Sequence, residues 1–141
     1  MKARLQEVRE RLQEKGLDAL LVTSPFNRKY LSGFTGTSGY LLITMNKAIL
    51  VTDFRYIDQA NEQAQEYEIV QHKAAILDEV GAQIHRLNLH KIGFEKQFVS
   101  YSLYEGLKKL SGEWVGVGGL IEEIRMIKSQ DEIQIIKEAC E

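Results

Sequence analysis

NRKYLSGFTGTSGYLLITMNKAILVTDFRY, residues 27–56, is the stretch around which the chain is organised. Its glycines Gly33, Gly36 and Gly39 recur at a three-residue step and lead into two β-rich runs, Tyr40 to Thr44 and Ala48 to Thr52. Only Met45-Asn46-Lys47 separates the runs, a spacing that predicts an antiparallel hairpin. Asp53 then stands where it can cap a helix whose apolar stripe is Ile57, Ala60, Ala64 and Tyr67. The hydrophobic period has changed from two to 3.6.

Working outward, Leu5, Val8 and Leu12 line one face of an N-terminal helix that Lys15-Gly16 closes. Ala19 to Val22 is a continuous apolar run, the pattern of a strand buried on both faces, and Ser24-Pro25 ends it. Asn27 to Leu31 reads as a short helical turn. Beyond the hairpin the alternation is regular. Glu68 to His72 is strand, Ile76, Val80, Ile84 and Leu87 form a helix stripe, and Lys91 to Glu95 is strand. Leu103 to Leu110 is helix, with Ser102 and Glu105 as its capping box, and Trp114 to Val117 is strand. Strands alternating with helices of this length predict a three-layer α/β sandwich: a mixed, mostly parallel sheet with one antiparallel hairpin and helices on both faces.

The chain has 141 residues, enough for one domain, and its net charge of −2 offers no basic field to a phosphate backbone. Nucleic acid is therefore not an expected partner. Met1 to Val8 is charged and periodic, unlike a signal peptide, and no apolar run approaches a membrane span. With a single cysteine, Cys140, the expectation is a cytoplasmic protein without a membrane partner. At the other end, Ser129 with Glu132 predicts a second capping box, and Ile133, Ile136, Ala139 and Cys140 begin a core-facing stripe with no stop signal. That pattern predicts a fragment whose last helix enters a further domain.

The candidate chemistry is sparse. Gly33, Gly36 and Gly39 precede a strand, whereas a phosphate cradle needs a helix N-terminus, so they read as a structural loop. Gly116-x-Gly118-Gly119 does precede a helix, but Glu122-Glu123 stands where the phosphate would lie. His72, His85 and His90 match no metal-binding spacing. No nucleophile elbow occurs, and a carboxylate cluster of Asp53, Asp58, Glu62 and Glu95 is not expected, since Asp58 and Glu62 read more simply as solvated positions opposite the Ile57 stripe. Asp53-Phe54-Arg55-Tyr56 stays open between two readings, a plain helix cap and an Arg55 fork that clamps the carboxylate of a substrate or partner.

Three motifs together, residues 27–39, residues 50–56 followed by Gln59-Ala60, and residues 125–129 with Glu132-Ile133, resemble the N-terminal domain of the Xaa-Pro peptidases. That family includes aminopeptidase P and prolidase, with creatinase as a relative. Phe54 departs from it, since a small residue is common there. The resemblance implies a ribonuclease H-like α/β domain over residues 1–125, with residues 126–141 starting a linker helix into a separate catalytic domain. It implies that two divalent cations (Mn, Co or Zn) belong to that catalytic domain, with no catalytic or metal-binding residue here. It further implies a homodimer, a proline-containing peptide substrate, and a role for this domain in dimerisation and at the active-site rim. Phe34, Thr35, Thr37, Ser38, Asp53, Arg55 and Tyr56 would be the contributors. The alternatives are a stand-alone small-anion or peptide-binding module and the N-terminal domain of a creatinase-like amidinohydrolase.

Overall fold

A computed structural model describes residues 2–126. Its strands are β1 (Ala19–Val22), β2 (Tyr40–Thr44), β3 (Ala48–Thr52), β4 (Glu68–Gln71), β5 (Lys91–Glu95) and β6 (Glu113–Val117), and they form one sheet in the order β4-β3-β2-β1-β5-β6. The β1–β5, β5–β6 and β3–β4 pairs are parallel. β2 runs against both neighbours, through the expected hairpin with β3 and through a second antiparallel ladder in which Val22 of β1 faces Leu41. That second ladder follows from the connection: the segment after β1 returns the chain at the end of the sheet where β1 finished.

Burial follows strand position. The central runs Ala19–Val22 and Ala48–Thr52 are buried throughout, which is why they carry no alternation, while the edge strand β4 is exposed at both ends. One face packs Leu20, Val22, Leu41, Ile43 and Leu50 against α1 (Lys2–Lys15), α2 (Pro25–Ser32), α3 (Ile57–Gln63) and the helical residues 120–126. The opposite face packs Leu21, Leu42, Ile49 and Ile92 against α4 (Ile76–Arg86) and α5 (Tyr101–Lys108). The sandwich expected from the alternation is the observed one.

Several boundaries differ from the sequence reading, each for a local reason. α2 is longer than one turn at Asn27 to Leu31, because Ser24 caps it and Pro25 opens it as the first helical residue. Gly33 closes it in the left-handed region at φ 79°, its N–H donating to the Lys29 carbonyl at 2.7 Å. Asp53 caps a 3-10 turn, Phe54–Tyr56, ahead of α3, accepting from the Arg55 N–H at 2.9 Å. α3 stops at Gln63, so Tyr67 packs from beyond the helix and its hydroxyl donates to the Leu31 carbonyl at 3.0 Å. Ser102 lies inside α5; the cap is Ser100, whose hydroxyl accepts from the Leu103 N–H at 3.1 Å. The capping box expected at Ser129 and Glu132 and the stripe reaching Cys140 fall outside the described residues.

These caps make a differential prediction. Ser100→Ala should lower stability by about 1 kcal/mol, whereas Ser102→Ala, at an exposed helical position, should stay within roughly 0.5 kcal/mol of the parent. Urea midpoints of the two variants measured side by side check it.

Candidate functional site

The site is built on α2 and the loop that follows it. α2 buries Asn27, Arg28, Leu31 and Ser32, so its inward face carries a cation and an amide beside one leucine. Arg28 is 4% exposed. Its Nη1 donates to the Gly39 carbonyl and its Nη2 to the Gly36 carbonyl, both at 2.6 Å. Among the described residues no carboxylate pairs with it, and its Nε has no partner. Burial pulls the Arg28 guanidinium below its ordinary pKa. The same burial raises that of the Tyr40 phenol, which Arg28 draws back down.

Clamped in this way, the loop presents Phe34 inward and its threonines outward. Phe34 is buried and meets Tyr56 edge to face at 6.0 Å. Gly36 is glycine for want of space, since a Cβ there would lie 2.2 Å from Cζ of Phe34. The Thr35 N–H donates to Gln63 Oε1 at 3.0 Å, and Gln59 donates to Thr35 Oγ1 at 2.9 Å. Thr37 Oγ1 and the Tyr56 hydroxyl are hydrogen-bonded at 2.5 Å. The Ser38 carbonyl accepts from Thr52 Oγ1 at 2.6 Å.

The structure thus gathers five of the seven candidates into one chain of contacts, while Thr35 is bound to Gln59 and Gln63 and Ser38 to Thr52. Phe34 and Thr37 meet Tyr56, Arg55 lies over the Tyr56 ring at 5.2 Å, and Asp53 pairs with Arg55. Of the two open readings of Asp53-Phe54-Arg55-Tyr56, the cap is present, and the Arg55 fork lies on the Asp53 carboxylate of the same turn through Nε at 3.1 Å and Nη2 at 2.8 Å. Arg55 holds the Asp53 carboxyl below the usual range, chiefly by the side-chain hydrogen bond. Phe54, the departure from the family pattern, points to solvent at 74% exposure.

Between α2 and the loop opens a groove of about 430 Å³, lined by Phe26, Arg28, Lys29, Phe34, Thr35 and Thr37 among others. Its charged members are both cations. Arg28, Lys29 and Phe26 were not picked out as site residues from the sequence. The available signal was the spacing, since Arg28 and Asn27 stand three and four residues before Leu31, on the face that Leu31 buries. Glu95 was considered only as part of a carboxylate cluster, and that cluster does not form. Glu95 is buried on Thr23, Ser24 and Asn27, Asp53 is held by Arg55, and Asp58 and Glu62 are exposed. Among the described residues no three His, Cys, Asp or Glu side chains are grouped to hold a metal ion. No described helix is long and apolar enough to cross a membrane.

The fold and site define a three-layer α/β domain whose distinctive feature is an arginine-clamped glycine loop at one end of the sheet. Residues 4–127 match the model of the Creatinase/Prolidase N-terminal domain, and the chain belongs to that family, the N-terminal domains of the Xaa-Pro peptidases. It is 33% identical over 139 residues to the uncharacterized peptidase YqhT of Bacillus subtilis, covering 97% of this chain and 39% of that protein. The solved Xaa-Pro dipeptidase of Bacillus anthracis superposes with a TM-score of 0.88 at 41% identity, over 97% of this chain and 39% of that one. The N-terminal domain of the cytoplasmic peptidase PepQ from Mycobacterium tuberculosis, solved as a separate domain, superposes with a TM-score of 0.79 at 31% identity, over 86% of this chain and 97% of that one. The chain therefore spans about two fifths of the length of the relatives of full size that it matches.

The packing of the loop on Phe34 yields a test. Gly36→Ala should destabilise by about 1–3 kcal/mol through overpacking, and Phe34→Leu in the same chain should recover part of that loss. A double-mutant cycle from denaturant unfolding measures the coupling.

Proposed function

We propose that this chain serves as the non-catalytic N-terminal domain of a proline-specific metallopeptidase, an Xaa-Pro dipeptidase or aminopeptidase P. On this reading residues 1–125 form the domain, and residues 126–141 start a linker helix into a catalytic domain that follows. The observation that carries the reading is the asymmetry of coverage, 97% of this chain against 39% of the Bacillus subtilis peptidase and 39% of the Bacillus anthracis dipeptidase. The relatives' remaining length is then the place for the hydrolytic centre.

The two divalent cations implied by the family would polarise the scissile carbonyl and activate water, and the residues described here do not fit them. The carboxylates of Glu95 and Asp53 are taken by protein donors, and His72, His85 and His90 belong to no group of three or more His, Cys, Asp or Glu side chains. What this domain contributes is shape. The loop 34–38 and the Asp53, Arg55 and Tyr56 cluster form an ordered, mainly polar edge suited to the rim of an active site and to a dimer contact. The groove beside them, with Lys29 and an exposed Phe26, is suited to the apolar and anionic features of a proline-containing peptide.

Supplied with Mn, Co or Zn, the isolated 141-residue chain should release no product from Xaa-Pro dipeptides or from longer Xaa-Pro peptides, while the longer polypeptide containing it should do so. A chromatographic assay of both preparations checks this. Turnover by the isolated chain overturns the reading.

A further inference from the structure

Asn27, next to the arginine clamp, lies in a second buried network that the groove does not use. Glu95, at the end of β5, is 6% exposed, and burial pushes its carboxyl above the ordinary range. Its Oε1 accepts from the Thr23 N–H at 2.8 Å and the Ser24 N–H at 3.0 Å, and its Oε2 accepts from Asn27 Nδ2 at 2.6 Å. The same amide nitrogen donates to Glu122 Oε1 at 2.7 Å. Asn27 Oδ1 accepts from Arg125 Nη1 at 3.2 Å, and the Arg125 guanidinium lies over the Phe26 ring at 4.0 Å. Fully buried, Asn27 thus spends both amide hydrogens and its carbonyl on three charged side chains from two other elements.

Glu122 and Arg125 are three apart within the helical residues 120–126 and so share a face. Their opposite charges read the two ends of one amide, which fixes its orientation: turned over, it would set its NH2 against Arg125 and its oxygen against two carboxylates. Leu120, Ile121 and Ile124 also bury this helix, but apolar packing is non-directional and tolerates sliding and rotation. A three-point hydrogen-bonded contact does not.

We propose that Asn27 is a latch: by bridging Glu95 at the end of β5 to Glu122 and Arg125, it fixes the position and rotation of the helix at 120–126, and with it the direction in which the chain leaves the sheet. That this direction orients a following catalytic domain rests on the function proposed above; the latch itself does not. It also joins the exit helix to the groove, because Arg125 backs the Phe26 wall.

Hydrogen exchange of the 141-residue chain, followed by mass spectrometry, tests the latch apart from any peptidase activity. Asn27→Asp keeps the size but removes both donors, so protection of amides 120–126 should fall about tenfold or more, the scale of a lost charged hydrogen bond, while β2 and β3 stay within about twofold. Glu122→Ala should lower protection of the same segment several-fold without placing a new charge in the interior. Arg11→Gln, which removes only the exposed Arg11–Glu123 pair, should change it by less than about twofold. The proposal is overturned if protection of 120–126 is unchanged in both latch variants, or if it falls only in step with β2 and β3. Should Asn27→Asp not fold, Glu122→Ala decides alone by the same two outcomes.

Discussion

A buried guanidinium held by two backbone carbonyls is the constraint on which the functional end of this domain depends. Removing an arginine from water is costly unless its hydrogens find acceptors. Here the Gly36 and Gly39 carbonyls accept from the two ends of the Arg28 fork, so the loop cannot relax without leaving a charge unsatisfied. The loop in turn needs glycine at 36 for the ring of Phe34 to fit, and that ring carries Tyr56. One charge placed on the inner face of α2 therefore shapes the groove, the threonine rim and the contact to Asp53 and Arg55.

α2 works as a pivot with two adjacent polar residues. Arg28 serves the loop and the groove, and Asn27 serves β5 and the exit helix. Both are held because the helix starts and stops sharply: Ser24 and Pro25 set its first turn, and Gly33 ends it. An eight-residue helix has little intrinsic stability. Its order comes from Leu31 in the core and from these directional contacts, so α2 is sensitive to the loss of its polar side chains.

How much of this was legible in the sequence depends on range. The hairpin, the strand–helix alternation and the three layers could be read because each rests on period and on local turn residues. The family could be read because three short motifs occur in order. Cap choice was less legible: Glu105, three residues on, favours Ser102 by spacing, yet Ser100 is the cap and has Leu103 at that place. The arginine clamp and the amide latch were not read, although Arg28 and Asn27 stand at helical spacing from Leu31. Their partners explain why. Arg28 binds backbone carbonyls, which carry no residue signature, and Asn27 binds Glu95 across 68 positions and Glu122 across 95. Arg55, the arginine that looked most available for a carboxylate, has one two residues away in Asp53.

Arg28→Lys tests the central claim most directly, because it keeps the charge and removes the fork. Backbone 15N relaxation of the loop is the measurement. The account predicts that order parameters at Gly36 to Gly39, about 0.8 or higher in the parent, fall below about 0.6 in the variant while α2 and β2 stay rigid. Unchanged order parameters in a folded Arg28→Lys chain would contradict it.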